Sequence, residues 1–113
     1  MKSFGYGMFF GKKVYGTIYK KRGQMKYVCR IEFDKSIDSR LVEQEIIESI
    51  LTTEDVFGQA KTQLSASYLV SENKAVIDVS NEVGEHIFSV LTGRLNRKIG
   101  RERYSFHRVK TND

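Results

Sequence analysis

Between residues 26 and 109 the spacing of apolar side chains switches several times between two periods, and this limits the chain to a mixed α+β fold. In 26–33 the period is two. Tyr27, Cys29, Ile31 and Phe33 share one face of a strand, and Val28, Arg30 and Glu32 the other. In 39–51 the period lengthens to that of a helix carrying Leu41, Val42, Ile46, Ile47, Ile50 and Leu51. Asp38 or Ser39 can cap it, and Glu43, Glu45 and Glu48 lie toward its solvent side. Residues 52–55 read as a turn or a short helix start that ends near Gly58.

Alternation returns in 62–70, with Leu64, Ala66, Tyr68 and Val70 on one face and Ser65 and Ser67 outward. A four-residue turn, 71–74, leads into a strand at 75–79. There Ala75, Ile77 and Val79 face inward, and Asp78 faces outward beside Val76. A second helix is expected over 81–99. Ser80 or Asn81 caps it, Glu82 and Glu85 stand in its first turn, and Arg94, Arg97 and Lys98 near its end before Gly100. Its buried stripe is Val83, Ile87, Val90, Leu91, Leu95 and Ile99. Residues 103–109 alternate again as a last strand.

A further strand at 13–20, joined to 26–33 by the polar turn 21–24 as a hairpin, completes the expected order β-β-α-β-β-α-β. Without that first strand the order is βαββαβ, which is ferredoxin-like: a two-layer sandwich, mostly antiparallel, with both helices on one face of the sheet. The two readings compete for the same strand. In the ferredoxin-like order 26–33 lies between 75–79 and 103–109, so an upstream hairpin partner has nowhere to pair. The 113 residues hold no repeat or long linker and are expected to form one domain, 1–113.

Composition narrows the setting. Apolar residues make up 40% and charged residues 29%, which excludes a disordered polyelectrolyte. No membrane span or signal peptide is expected, and one cysteine, Cys29, excludes an internal disulfide framework. A reducing, cytoplasmic location is the expectation.

Charge is segregated. Residues 1–30 hold eight Lys/Arg and no acid, 31–59 hold two against eight, 60–92 two against four, and 93–113 seven against two, for a net +5. Two basic ends flank an acidic middle. Brought together, the ends would form a surface that attracts polyanions.

Motifs with sharper chemistry are excluded by spacing. Gly5, Gly7 and Gly11 give GxGxxxG, one residue too long for a dinucleotide loop. GxxxGKK ending at Lys13 is too short for a phosphate loop and lacks its Ser or Thr. The stretch 2–9, Lys-Ser-Phe-Gly-Tyr-Gly-Met-Phe, resembles the octapeptide of the RNA-recognition motif, in which aromatics stack on bases. It departs at Ser3 and Gly7, and it lies at the N-terminus rather than on a third strand, so no family is assigned. No Cys/His spacing suits zinc; no cofactor and no catalytic site are expected.

Cations interleaved with tyrosines remain as the main signal. Lys12, Lys13, Lys20, Lys21, Arg22 and Lys26 with Tyr15 and Tyr19 form one group, and Arg94, Arg97, Lys98, Arg101 and Arg103 the other. Cations bind phosphates and exposed rings stack on unpaired bases. The expectation is a non-enzymatic domain that binds nucleic acid, RNA or a single strand favoured. The alternative is a protein-interaction module that pairs through a sheet edge, as a homodimer or a small subunit of an assembly, or else an inhibitor.

Overall fold

The computed structural model describes residues 27–110. Eight of the thirteen candidate binding residues, Lys12 through Lys26, lie outside this range, as do the octapeptide and the strand expected at 13–20. The described chain is α+β: a four-stranded antiparallel sheet and three helices.

The first strand, β1, runs Tyr27–Phe33. Its alternation buries Cys29, Ile31 and Phe33 under the helices. The first helix, α1, covers Ser39–Phe57, six residues beyond the end expected at Leu51. Two threonines at 52 and 53 suggest a break, because β-branched residues are mediocre helix formers. Here each hydroxyl instead donates back one turn, Thr52 to the Glu48 carbonyl at 2.9 Å and Thr53 to that of Ser49 at 2.8 Å. The helix stops only at Gly58, whose φ of 91° favours glycine.

The strand expected over 62–70 is helix in its first four residues and strand only from Tyr68. A second helix, α2, takes Gln59–Ser65, and strand β2 is only Tyr68–Ser71. Leu64, placed inward by alternation, is 81% exposed, while Thr62 and Ala66, four apart, are buried. Gln, Ala and Lys favour helix here. Ser67, expected outward, is buried too.

Strand β3, Lys74–Asp78, returns from β2 through a two-residue turn, with Asn73 at φ 61°. The expected four-residue turn is thus shorter, because Ser71 and Lys74 pair in the ladder. Helix α3, Glu82–Lys98, starts where the Gly84 amide donates to Asn81 Oδ1 at 2.8 Å. After a 3-10 turn at Arg101–Arg103, strand β4 runs Tyr104–Lys110.

The sheet order is β2-β3-β1-β4. β1 pairs with β3 on one side and, along its whole length, with β4 on the other. Both edges of β1 are therefore taken, and the expected hairpin between 13–20 and 26–33 has no free edge there. Packing of α1 and α3 on a single face closes one core: Val42, Ile46 and Ile50 from α1 meet Val83, Ile87, Leu91 and Leu95 from α3 over Ile31 and Ile77. Each fully buried Ile or Leu contributes about 2 kcal/mol. The buried stripe of α1 is narrower than the sequence suggests, since Leu41 and Leu51 are exposed.

Candidate nucleic-acid interface

The last turns of α3 deliver Arg94, Arg97 and Lys98, and the turn after it adds Arg101 and Arg103. Cations suit this place because the exposed carbonyls of a helix C-terminus carry partial negative charge. Gly100, at φ 96°, reverses the chain and keeps all five residues at one corner.

These five differ in what they already hold. Arg94 Nε donates to Glu45 Oε1 at 2.7 Å, and Lys98 Nζ stands 3.7 Å from Glu45 Oε2. The guanidinium of Arg103 donates to Ser36 Oγ and lies 3.8 Å from Asp34 Oδ2. Arg101 lies over the rings of Tyr104 and Phe106, at 5.1 and 5.4 Å from their centroids, and donates to the Tyr104 carbonyl. Arg97 is exposed and has no ion pair among the described residues.

Glu45 was expected on the solvent side of α1. It is instead 4% exposed and sits against α3. Its place was legible from helical spacing: positions 42, 45, 46, 49, 50 and 53 fall on one face, and all are buried. A carboxylate in that row needs cations opposite, and Arg94 and Lys98 supply them. The three basic side chains and Glu45 line a notch of about 300 Å³ between α1 and α3.

The chain enters the described fold at the other end of the sheet. Tyr27 pairs with Lys110, whereas Phe33 pairs with Tyr104 beside the cationic corner. Six strand steps, roughly 20 Å, separate them. The ends of the described chain therefore meet at Tyr27 and Lys110, away from the five cations of residues 94–103.

Tyr15 and Tyr19 lie outside the described residues, and the rings near the cationic corner are held internally. Tyr104 is buried, and its hydroxyl donates to Asn96 Oδ1 at 2.6 Å; burial pushes its pKa up. By register, the sheet face away from the helices carries Val28, Arg30, Glu32, Leu69, Ser71, Lys74, Val76, Asp78, Ser105, His107 and Val109. His107 has the only ring on that face among the described residues. Asp78 falls there beside Val76 as expected, but it is buried and its Oδ1 accepts the Ser80 amide.

The opposite end of the α1–α3 pair holds the other histidine. Thr53 Oγ1 lies 2.8 Å from the Ser49 carbonyl and 2.9 Å from His86 Nδ1, so one hydroxyl bridges the α1 backbone and the α3 imidazole. His86 also packs edge-on against Phe57, and Lys61 pairs with Glu82 at 2.6 Å. Cys29 is buried; burial pushes its thiol pKa up, while nearby Arg108 pulls it down by less. Arg108 itself is held by both oxygens of Glu85.

Among the described residues no group of His, Cys, Asp and Glu is arranged to hold a metal ion, and no helix is long and apolar enough to cross a membrane. No known family matches the chain, and neither a curated protein nor a solved structure matches it.

Proposed function

We propose that this chain binds nucleic acid, RNA or a single strand in preference to a duplex, through backbone phosphates. One observation carries the reading: at the α3 corner, internal pairing does not consume the positive charge. Arg94 and Lys98 share one carboxylate, and Arg97 has no ion-pair partner among the described residues. Cations left over after internal pairing are the ones available to phosphates.

The balance of charge adds to this. Residues 27–110 hold twelve Lys/Arg against thirteen Asp/Glu, whereas residues 1–26 hold seven Lys/Arg and no acid. The N-terminal stretch, with Lys12, Lys13, Lys20, Lys21, Arg22 and Lys26, supplies the net attraction in this reading. Tyr15 and Tyr19 supply the stacking that favours unpaired bases. The strand order, antiparallel throughout, supports a ferredoxin-like arrangement of the domain.

The test is fluorescence anisotropy of a labelled single-stranded RNA in a salt series. With about five phosphates neutralised, affinity falls roughly a hundredfold between 50 and 200 mM salt. The triple change Lys20→Glu, Lys21→Glu, Arg22→Glu removes binding and leaves the circular dichroism spectrum unchanged. No binding at 50 mM salt, or affinity indifferent to salt, defeats the reading.

A second reading has its own support. On the open sheet face, Leu69 is 44% exposed beside Val76, in a depression of about 460 Å³ that also meets Arg30, Glu32 and Lys74. A protein partner or second copy seated there would give a complex that persists in 0.5 M salt, where exposed ion pairs are screened within about 5 Å. Sedimentation in that buffer distinguishes the two.

A further inference from the structure

We propose that the notch between α1 and α3 is a site for one phosphate group, with Arg94 as its fork and the buried Glu45 as the residue that holds that fork in place. The inference deepens the nucleic-acid reading, on which the identity of its biological ligand rests. The site itself stands on separate geometry.

Arg94 spends Nε on Glu45 Oε1 at 2.7 Å. A guanidinium has five N–H groups, and one sits on Nε. The other four, on the two Nη atoms, have no partner among the described residues. Glu45 is deeply buried and anchored on α1, so it fixes the plane of the Arg94 guanidinium while leaving its outer edge unoccupied. A fixed arginine fork matches two oxygens of a phosphate and loses little freedom on binding.

Two further cations complete the notch. Lys98 Nζ, at 3.7 Å from Glu45 Oε2, is within ion-pair range but beyond a good hydrogen bond, so its protons remain available. Arg97 reaches back along α3. Its Nη1 lies 3.6 Å from where a Cβ on Gly93 would stand, next to Arg94 in sequence. Three cations and one carboxylate leave the lining with two positive charges, which complements a phosphate dianion. The volume of about 300 Å³ equals that of roughly ten waters, enough for a phosphate that keeps part of its hydration.

This arrangement differs from a diffuse basic patch in one measurable way. In a diffuse patch Glu45 only subtracts charge, and removing it tightens anion binding. In a held fork Glu45 does the holding, and removing it weakens binding although the local charge rises.

Inorganic phosphate is titrated into the full chain and followed in ¹H–¹⁵N spectra, with chloride at matched ionic strength as reference. Saturable shifts are expected at the amides of residues 94–98 and at Arg94 Nε. Arg97→Glu lowers the affinity at least tenfold. Glu45→Leu keeps an apolar filling for the helix interface and lowers the affinity at least fivefold. Arg94→Lys keeps the charge without the fork and does the same, which preserves the test if Glu45→Leu does not fold. Absence of saturable shifts, or affinity in folded Glu45→Leu or Arg94→Lys equal to or above that of the parent chain, overturns the proposal.

Single-stranded RNA is titrated in parallel. If phosphate fills the notch and RNA binds nowhere, the site stands and the nucleic-acid reading falls. If RNA binds and phosphate leaves the notch amides unmoved, the site falls and that reading stands.

Discussion

The two ends of the α1–α3 contact are built from the same kinds of side chain and come to different electrical balances. At the α3 N-terminal end the charges are matched one to one, Lys61 of the adjoining α2 with Glu82, and Thr53 of α1 meets His86. At the C-terminal end one carboxylate, Glu45, faces three cations. A matched pair ties two helices and offers little to a ligand, since its donors and acceptors are used. An unmatched group keeps donors facing solvent. For anion binding, the count of cations therefore matters less than what remains of them after pairing. Arg108, held by both oxygens of Glu85, adds to the formal charge of the chain and brings little to a phosphate.

The largest expected effect tests the matched end. Gly84 lies in the first turn of α3, where the helix passes over the end of β3. A Cβ there would stand 1.9 Å from the Asp78 carbonyl oxygen, which belongs to backbone and cannot swing aside. Gly84→Ala must therefore push α3 off the sheet, at a cost of about 3 kcal/mol. Urea denaturation measures it. A loss below about 1 kcal/mol means that α3 does not sit this close to β3.

The next effect contrasts residues within the unmatched end. Arg94→Met leaves a buried carboxylate with only a distant lysine, and costs about 2 kcal/mol. Arg97→Met touches no ion pair and changes stability by less than about 0.5 kcal/mol. Thermal or urea unfolding of the two variants gives the difference directly. Equal effects would show that Glu45 does not distinguish the two arginines and that the two ends of the helix pair do not differ in electrical balance.

Much of this was legible in the sequence. The strands near 26–33, 75–79 and 103–109 and the long helix before Gly100 follow from alternation, caps and charge placement that agree with one another. The stretch 59–70 was not legible, because Leu64, Ala66, Tyr68 and Val70 alternate while tertiary packing selects Thr62 and Ala66, a helical pair, for burial. The extra length of α1 carries Thr53 into the buried contact with α3, a tertiary effect that propensity does not register. The candidate site divides in a similar way. Sequence grouped Arg94, Arg97, Lys98, Arg101 and Arg103 as one basic run to be joined by the N-terminal cations, and it assigned Glu45 to solvent. Glutamate is by type a surface residue, but its helical position, three after Val42 and one before Ile46, points to the core. What each cation already holds depends on residues up to 69 positions away, such as Asp34 for Arg103, and no local pattern reports that.

The smallest effect concerns acid. Asp34 and Asp38 precede the start of α1, Asp38 as its N-cap. Asp34 Oδ1 accepts the Ser36 amide, and Asp38 Oδ1 accepts that of Arg40. These bonds favour the ionised form, and both carboxyls are held below their ordinary values, with help from Arg103 and Arg40 respectively. A carboxyl depressed by folding stabilises the fold fully above its unfolded value, about 3.9, and that contribution fades as pH falls through the lower folded value. Melting temperature should therefore drop on acidification from pH 5 toward pH 2. In the double variant Asp34→Asn, Asp38→Asn it should start lower at pH 7 and decline less steeply. Parallel curves would show that neither carboxylate senses the fold. Hydrogen exchange sharpens the point: amides of residues 36–42 should lose protection in acid before those around Thr53, because the matched end contains no carboxylate bonded to a helix-start amide on α1.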